Sequence, residues 1–245
     1  VNNDALARRG SGYVATHRPD FMRVNDPWFR GTAIRYGPDG GVYVSDWNDL
    51  GECHDHDGTY RSSGRIYKIV HGTPARTGSM DLARLPDPEL VALLGHRNEW
   101  YSRHARRLLQ ERASASAAPP ATRAAVRSLL GRDQPTRLRL RALWTLHGMG
   151  DDDEALLLGA LQDPSEHLRW WAVQFLCENR HPSISTAEAM ARLASDGASS
   201  LTRLALASAL QRMPVADRWS VAEALVRHAG DARDPNLPWM IWYGL

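Results

Sequence analysis

The sequence contains few cysteines and no long apolar run. Its 245 residues include two cysteines, Cys53 and Cys177, and neither lies in a CxxC or CxxCH pattern. This excludes a disulfide framework and a c-type haem attachment site within these residues. No run of about 18 apolar residues is present, so we predict no membrane-spanning helix here.

Neither sign of charge is in large excess. The 30 Lys and Arg residues against 28 Asp and Glu residues leave a formal net charge of +2, which is too small to indicate a nucleic-acid partner. Lys68 is the only lysine, so nearly all of the positive charge is arginine. The chain begins at Val1 and ends in the apolar run Trp239–Leu245 without a helix stop signal, which leads us to expect a section of a longer protein.

Short β-like runs occupy the first third of the chain. Residues 1–28 show little periodicity and predict irregular chain. Three strands are predicted at Thr32–Tyr36, Val42–Val44 and Arg65–Val70, with a turn at Gly37–Gly41 between the first two. Three short antiparallel strands bury too little apolar surface to stand alone, so they need a further layer to pack against.

From Asp87 onward the apolar residues follow a helical period. Asp87-Pro88-Glu89 and Asp163-Pro164 are helix-start signals, and Ser185 to Glu188 has the spacing of a capping box. Five helices recur at intervals of 30 to 37 residues, anchored at Tyr101, Leu138, Leu168, Leu201 and Leu237. Each follows another helical segment, and arginines near the start of several second helices look HEAT-like: Arg103, Arg139, Arg169 and Arg203.

The predicted fold class is therefore α+β by content and mostly α. A short antiparallel β segment is followed by a HEAT-like α-solenoid of about five helix pairs. Breaks at Gly72-Thr73-Pro74 and Leu85-Pro86 predict three parts, with boundaries at residues 1–72, 73–86 and 87–245.

The loop between the second and third predicted strands is the part richest in chemical groups. Asp46, Asp49 and Glu52 place carboxylates at i, i+3 and i+6, and His54 and His56 follow. Hard oxygen ligands of this density can hold Ca²⁺, whereas two histidines with a carboxylate suit a transition metal. EF-hand spacing and HExxH are both absent. The alternative is a solvated loop whose side chains cap their own turns.

His54 is the candidate general base, because its ordinary pKa is near neutrality and carboxylates surround it in the sequence. The alternative is a solvated imidazole without a catalytic role. The acidic neighbours of Cys53 disfavour an activated thiolate there. Arg65, which opens the third strand, is expected to pair with a carboxylate of the loop and to fix its shape.

The helical part offers two further interpretations. Its arginines would form a basic, nucleic-acid-binding groove if they shared one face: Arg103, Arg106, Arg107, Arg123, Arg127, Arg137, Arg139 and Arg141. Acids alternate with arginines elsewhere, which favours a solvated face instead. A non-catalytic module whose concave helical face binds a protein partner is the other alternative.

Several segments together resemble one bacterial family. The segments are Arg9–Tyr13 (RGSGY), Asp26–Gly31 (DPWFRG), Tyr36–Gly41 (YGPDGG), Asp46-Trp47, Gly51–Asp55 (GECHD), Gly64–Ile69 (GRIYKI), His96–Tyr101 (HRNEWY), Arg103–Arg112 (RHARRLLQER) and Asp234–Pro238 (DPNLP). They are similar to the large membrane-bound dehydrogenases of planctomycetes and their relatives, also described as haem-binding CxxCH proteins. In that family a β-propeller like that of glucose or sorbosone dehydrogenases precedes HEAT-like repeats and a cytochrome c domain.

The resemblance implies that residues 1–72 are the lead-in and last blade of a propeller and that the helices are its HEAT section. It further implies a parent protein exported to the periplasm, with quinone and haem cofactors, that oxidises a sugar-like or alcohol substrate. The other blades and the cytochrome c domain of the same chain would then be its partners. Because CxxCH is absent here, this section alone is expected to be inactive.

Overall fold

A computed structural model describes residues 1–50, 62–73, 78 and 80–245 of the chain. Within these residues it contains five β-strands in two small antiparallel sheets and ten α-helices, which confirms an α+β fold that is mostly α. The chain divides into two compact units, one formed by residues 1–5 and 17–111 and the other by residues 6–16 and 112–245. The predicted boundaries at residues 72 and 86 stay predictions.

The first sheet corrects the prediction of irregular chain over residues 1–28. Strands β1 (Asn3–Arg9) and β2 (Gly12–Arg18) form a two-stranded hairpin. Its turn begins at Gly10, which has a φ of 58°, a conformation that glycine adopts without steric cost. Nearly every strand residue is exposed, so the sequence carries no inside-outside alternation that would reveal the strands.

The second sheet consists of β3 (Gly31–Tyr36), β4 (Val42–Asp46) and β5 (Arg65–Ile69), in that spatial order. Both pairings are antiparallel: Ile34 lies opposite Val44, and Val44 lies opposite Tyr67. Since side chains alternate across a strand, these three residues share one face of the sheet. The three predicted strands are thus present, and β4 extends two residues further, to Asp46.

The ten helices fall into five pairs, as the sequence predicts. The pairs are α1 (Asp87–Leu93) with α2 (Glu99–Ala115), α3 (Pro120–Ser128) with α4 (Thr136–Gly148), α5 (Glu154–Leu161) with α6 (Glu166–Leu176), α7 (Ile184–Ser195) with α8 (Ser200–Leu210), and α9 (Trp219–Val226) with α10 (Leu237–Gly244). Short 3₁₀ turns at Leu82–Arg84, Val215–Asp217 and Ala229–Arg233 precede α1, α9 and α10, respectively.

Three predicted helix starts are displaced. Helix α1 begins at Asp87 itself, after Pro86, and α6 begins at Glu166 rather than next to Asp163. The side chain that caps α7 is Ser183, which accepts a hydrogen bond from the backbone N–H of Thr186 at 3.1 Å. Helices α1 and α6 begin without a side-chain cap, so the local signals do not fix their first residue.

Within the second unit the helices stack in two layers. The second helices contact one another in the order α4, α6, α8, α10, while α5, α7 and α9 form the other layer. Their inner faces build a core of Leu, Ala, Val and Met side chains that includes Val173, Met190, Leu206 and Leu225. Neighbouring helix pairs therefore share one continuous core, as in helical repeat proteins.

Arginines on the second helices form ion pairs that connect one helix pair to the next. Arg139 of α4 forms a two-pronged ion pair with Asp163, and both side chains are buried. Arg203 of α8 forms the same kind of pair with Asp231, at 2.5 Å. Two of the arginines that look HEAT-like in the sequence thus link consecutive repeats.

Candidate functional site

The predicted loop site begins at Asp46, the last residue of β4. Its side chain is fully shielded from solvent. One carboxylate oxygen accepts hydrogen bonds from the backbone N–H groups of Arg30, at 2.7 Å, and Asn48, at 3.0 Å. The other accepts from Arg65 Nε at 2.6 Å. Two backbone N–H groups and the Arg65 guanidinium therefore hold this carboxylate.

Residues 26–30 wrap the end of the sheet and supply part of this site. Asp26 closes a turn by accepting the backbone N–H of Trp28 at 2.9 Å. The Arg30 guanidinium donates to the carbonyls of Pro27, Phe29 and Leu50 at 2.9 to 3.1 Å. The segment that precedes β3 is thereby fixed against the segment that follows β4.

Arg65 lies between two carboxylates. It contacts Asp46 and also donates to Asp26 at 2.6 Å. The hydrogen bond that Arg65 donates to Asp26, followed by the one it donates to Asp46, raises the pKa of Arg65. The pKa of Asp26 is lowered by the Trp28 backbone N–H and by Arg65. Burial pushes the pKa of Asp46 upward, but the hydrogen bonds from Arg30, Asn48 and Arg65 outweigh it and leave this pKa lowered.

The predicted site residues are only partly within the described chain. Asp46, Asp49 and Arg65 are described, whereas Glu52, His54 and His56 lie outside the described residues, as does Cys53. The predicted roles of His54 as a base and of Glu52 and His56 as ligands therefore stay predictions. The sequence predicts that Arg65 pairs with a carboxylate of the loop. In the structure Arg65 contacts the carboxylates of Asp46 and Asp26.

Asp46 is poorly placed to bind a metal ion. Its oxygens already accept three N–H groups, and the Arg65 guanidinium neutralises its charge. A cation at this carboxylate would have to displace Arg65. In the described residues, no group of three or more His, Cys, Asp or Glu side chains is arranged to hold a metal. Asp49 is buried and offers a second carboxylate two residues after Trp47.

An open cavity of about 910 Å³ lies beside this network. Its lining residues are Val1, Phe29, Arg30, Gly31, Thr32, Ala33, Ile34, Val44, Trp47 and Asp49. The wall is mostly apolar, and it includes the face of the sheet that carries Ile34 and Val44. A second cavity of about 400 Å³ reaches the same face at Tyr36 and Val42. The apolar face of the β3–β5 sheet is therefore only partly covered within the first unit.

The other end of the sheet is attached to helix α2. Asn98 donates to the carbonyl of Gly37 at 2.9 Å, and the Tyr101 hydroxyl donates to the carbonyl of Pro38 at 3.1 Å. Asn98 also accepts the backbone N–H of Trp100 at 3.0 Å, which ties the start of the helix to the β-turn. The turn that the sequence predicts thus serves as an anchor point.

Sequence reasoning missed Asp26 and Arg30. Asp26-Pro27 is a recognisable turn signal. Its pairing with a residue 39 positions later could not be deduced from local sequence. Trp47, which lines the cavity, was also missed, although aromatic side chains are common in the walls of binding pockets.

No protein-family model matches the sequence, and a search of curated proteins likewise found no match. Among the helices that the structure describes, none combines the length and the apolar character needed to cross a membrane.

Proposed function

We propose that this chain is a non-catalytic section of an exported, quinone- and haem-linked dehydrogenase that acts on a sugar-like or alcohol substrate. The β3–β5 sheet would be one blade of its β-propeller, and the helices would be its repeat scaffold. The single observation that supports this proposal most is the partly covered apolar face of the sheet, with its cavity of about 910 Å³.

The uncovered face supports the proposal because a sheet with an apolar face requires a second layer that buries it. Ile34 and Tyr36 are exposed on that face, while Val44 beside them is buried. In a β-propeller each blade buries such a face against its neighbours. A neighbouring blade would therefore fill the two cavities and cover Ile34 and Tyr36.

The Asp46, Arg65 and Asp26 network would then have a positioning role. It joins the end of β4, at Asp46, to the start of β5, at Arg65. These two residues flank residues 51–61 in the sequence. In the proposed assembly Asp49, Glu52, His54 and His56 supply the metal or substrate contacts of that loop, with Ca²⁺ as the metal. Quinone and haem would be held by other parts of the protein.

The proposal is tested by the sequence that flanks these residues together with dye binding. Repeated four-stranded blades upstream and a CxxCH motif downstream would support it, and their absence would overturn it. The chain by itself should bind an apolar dye such as ANS on the uncovered face. The variant Ile34→Asn should bind less dye. The control Ile66→Asn, on the opposite face of the same sheet, should bind as much as the unchanged chain.

A row of aromatic side chains favours a second candidate function, that of a protein-binding module. The rings of Trp144 on α4 and Trp171 on α6 are in edge-to-face contact, with their centroids 5.3 Å apart. The rings of His147 and Phe175 are stacked, with their centroids 3.7 Å apart. All four side chains are half-buried, so they present a broad aromatic surface on two adjacent second helices. Aromatic residues are enriched in protein interfaces. This candidate becomes the leading one if the flanking sequence contains neither blades nor CxxCH.

A further inference from the structure

A cavity of about 200 Å³ lies where the second helix pair meets the third, within the second unit. It is bounded by α4, α5, the start of α6 and the connections that precede α4 and α6. Four leucine side chains form the apolar part of its wall: Leu130, Leu143, Leu156 and Leu168. The cavity is thus formed by two consecutive helix pairs together.

Gly159 leaves part of this wall open. It lies inside α5, where glycine is destabilising relative to alanine. A Cβ atom at this position would meet no atom within 4 Å, so close packing does not require a glycine here. The missing side chain therefore leaves space beside the cavity, at a cost in helix stability.

The polar part of the wall has an excess of positive charge. The side chain of Arg139 is only 6% exposed; its Nε donates to the carbonyl of Leu130 at 3.0 Å, and both of its Nη atoms donate to Asp163. A guanidinium has five N–H groups, so these three bonds leave two of them over. Arg132 also lines the cavity, is exposed, and has no hydrogen bond or ion pair with any residue that the structure describes. Two cations therefore face one carboxylate.

These features indicate which ligand chemistry fits. A net charge of about +1 is matched by a single carboxylate, whose two oxygens suit the planar fork of a guanidinium. A phosphate group would bring up to two negative charges, more than this wall balances. The four leucines require an apolar body on the same molecule. An engineered apolar cavity of about 150 Å³ holds benzene, so the space here is sufficient for a ring or a short branched chain.

We propose that this cavity is a binding site for a small carboxylic acid, in its anionic form, with a compact apolar body. The body packs against the leucines beside Gly159. The carboxylate accepts hydrogen bonds from Arg132 and from the N–H groups that Arg139 has left over. This inference is independent of the proposed dehydrogenase role, because it involves no residue of the β3–β5 sheet.

Benzoate is the probe for this site, and benzamide is its neutral control of nearly the same shape. In amide NMR spectra of the full chain at constant ionic strength, benzoate should shift signals around Leu130, Gly159 and Leu168, with a dissociation constant of roughly 1–10 mM. Benzamide should bind at least about fivefold more weakly, because hydrogen bonds to a charged acceptor are stronger than neutral ones.

Two variants and one control locate the site. Arg132→Gln should weaken benzoate binding about two- to fivefold, as expected for a partly exposed ion pair. Arg137→Gln removes the same charge from an exposed arginine that does not line the cavity, and it should leave binding unchanged. Gly159→Leu places a side chain in the open space and should abolish the shifts. Circular dichroism of each variant checks that the helices are retained.

Four results would overturn the proposal. The first is the absence of benzoate shifts up to about 50 mM. The second is benzamide binding as tightly as benzoate, which would remove the role of the arginines. The third is equal weakening by Arg132→Gln and Arg137→Gln, which would reduce the effect to overall charge. The fourth is unchanged binding in Gly159→Leu, which would place the benzoate elsewhere.

Discussion

Ser11 and Asp234, which are 223 positions apart, are joined by two hydrogen bonds. The backbone N–H of Ser11 donates to one oxygen of Asp234 at 2.8 Å, and its hydroxyl donates to the other. Asp234 also accepts the backbone N–H groups of Asn236 and Leu237 at 2.9 and 3.0 Å. The tip of the β1–β2 hairpin is thereby fastened to the start of α10 within the second unit. The two residues belong to the RGSGY and DPNLP segments of the sequence.

This contact should make stability depend on acid pH. Burial raises the pKa of Asp234, but hydrogen bonds from Ser11, Asn236 and Leu237 outweigh it and lower the pKa to about 2. A lowered pKa means that the stabilisation is complete well above the ordinary carboxyl pKa and is lost as the pH falls toward 2. We expect Asp234→Asn to cost roughly 1–2 kcal/mol at neutral pH.

Urea unfolding of both proteins between pH 7 and pH 2 measures this effect. The difference between their free energies of unfolding should be constant at neutral pH and should shrink as Asp234 becomes protonated. Other carboxyl groups titrate in both proteins and cancel in the difference. A difference that stays constant down to pH 2 would contradict the role given to Asp234.

Gly10 has to be glycine for the same contact to form. Its φ is 58°, and a Cβ atom there would collide with the Asp234 carboxylate. We expect Gly10→Ala to lower the free energy of unfolding by about 1–3 kcal/mol. Gly40→Ala is the matched control, because Gly40 also has a positive φ, of 80°, but has open space around its Cβ position. It should cost only the backbone strain, about 1 kcal/mol. Equal losses in both variants would show that the collision with Asp234 does not matter.

The helical part was largely predictable from the sequence, because its information is local. The 3.6-residue period and the Asp-Pro and Ser signals locate the helices, and five pairs are observed where five are predicted. The β1–β2 hairpin was not predictable, because it is held by partners such as Asp234 that are remote in sequence. The candidate site was likewise predictable only in part. Arg65 was identified as a carboxylate partner, whereas Asp26, its second partner, was not.

The Arg139–Asp163 pair should contribute strongly to stability, because both side chains are buried. Removing one partner of a buried pair leaves an uncompensated charge, so we expect Arg139→Met to cost about 3–5 kcal/mol. Arg227→Met is the control, since Arg227 pairs with Glu223 on an exposed helix surface and should change stability by less than about 1 kcal/mol. Thermal and urea unfolding of the two variants would measure this contrast. Similar losses in both would contradict the burial argument.

Cys177 should be chemically inert in the folded protein. It is fully buried, and its sulfur lies 3.8 Å from that of Met190. Burial raises the pKa of the thiol to about 11, so the reactive thiolate is scarce at neutral pH. In a Cys53→Ser background, iodoacetamide should modify Cys177 slowly in buffer and rapidly in urea, as followed by mass spectrometry. Equal rates in the two conditions would show that the α6–α7 region opens readily.

The Asp46 carboxylate provides the sharpest test of what the loop site does. With its oxygens held by Arg30, Asn48 and Arg65, we expect Asp46→Asn to cost about 1–3 kcal/mol through unsatisfied or reversed hydrogen bonds. Asp133→Asn, at an exposed position, is the control. Unfolding of each variant is measured once in EDTA and once with added Ca²⁺. A structural carboxylate predicts the same loss in both solutions, since Arg65 and not a metal ion balances its charge. A loss that appears only with Ca²⁺ present would mean that a cation displaces Arg65, and Asp46 would then be a metal ligand, as the spacing of the loop carboxylates predicts.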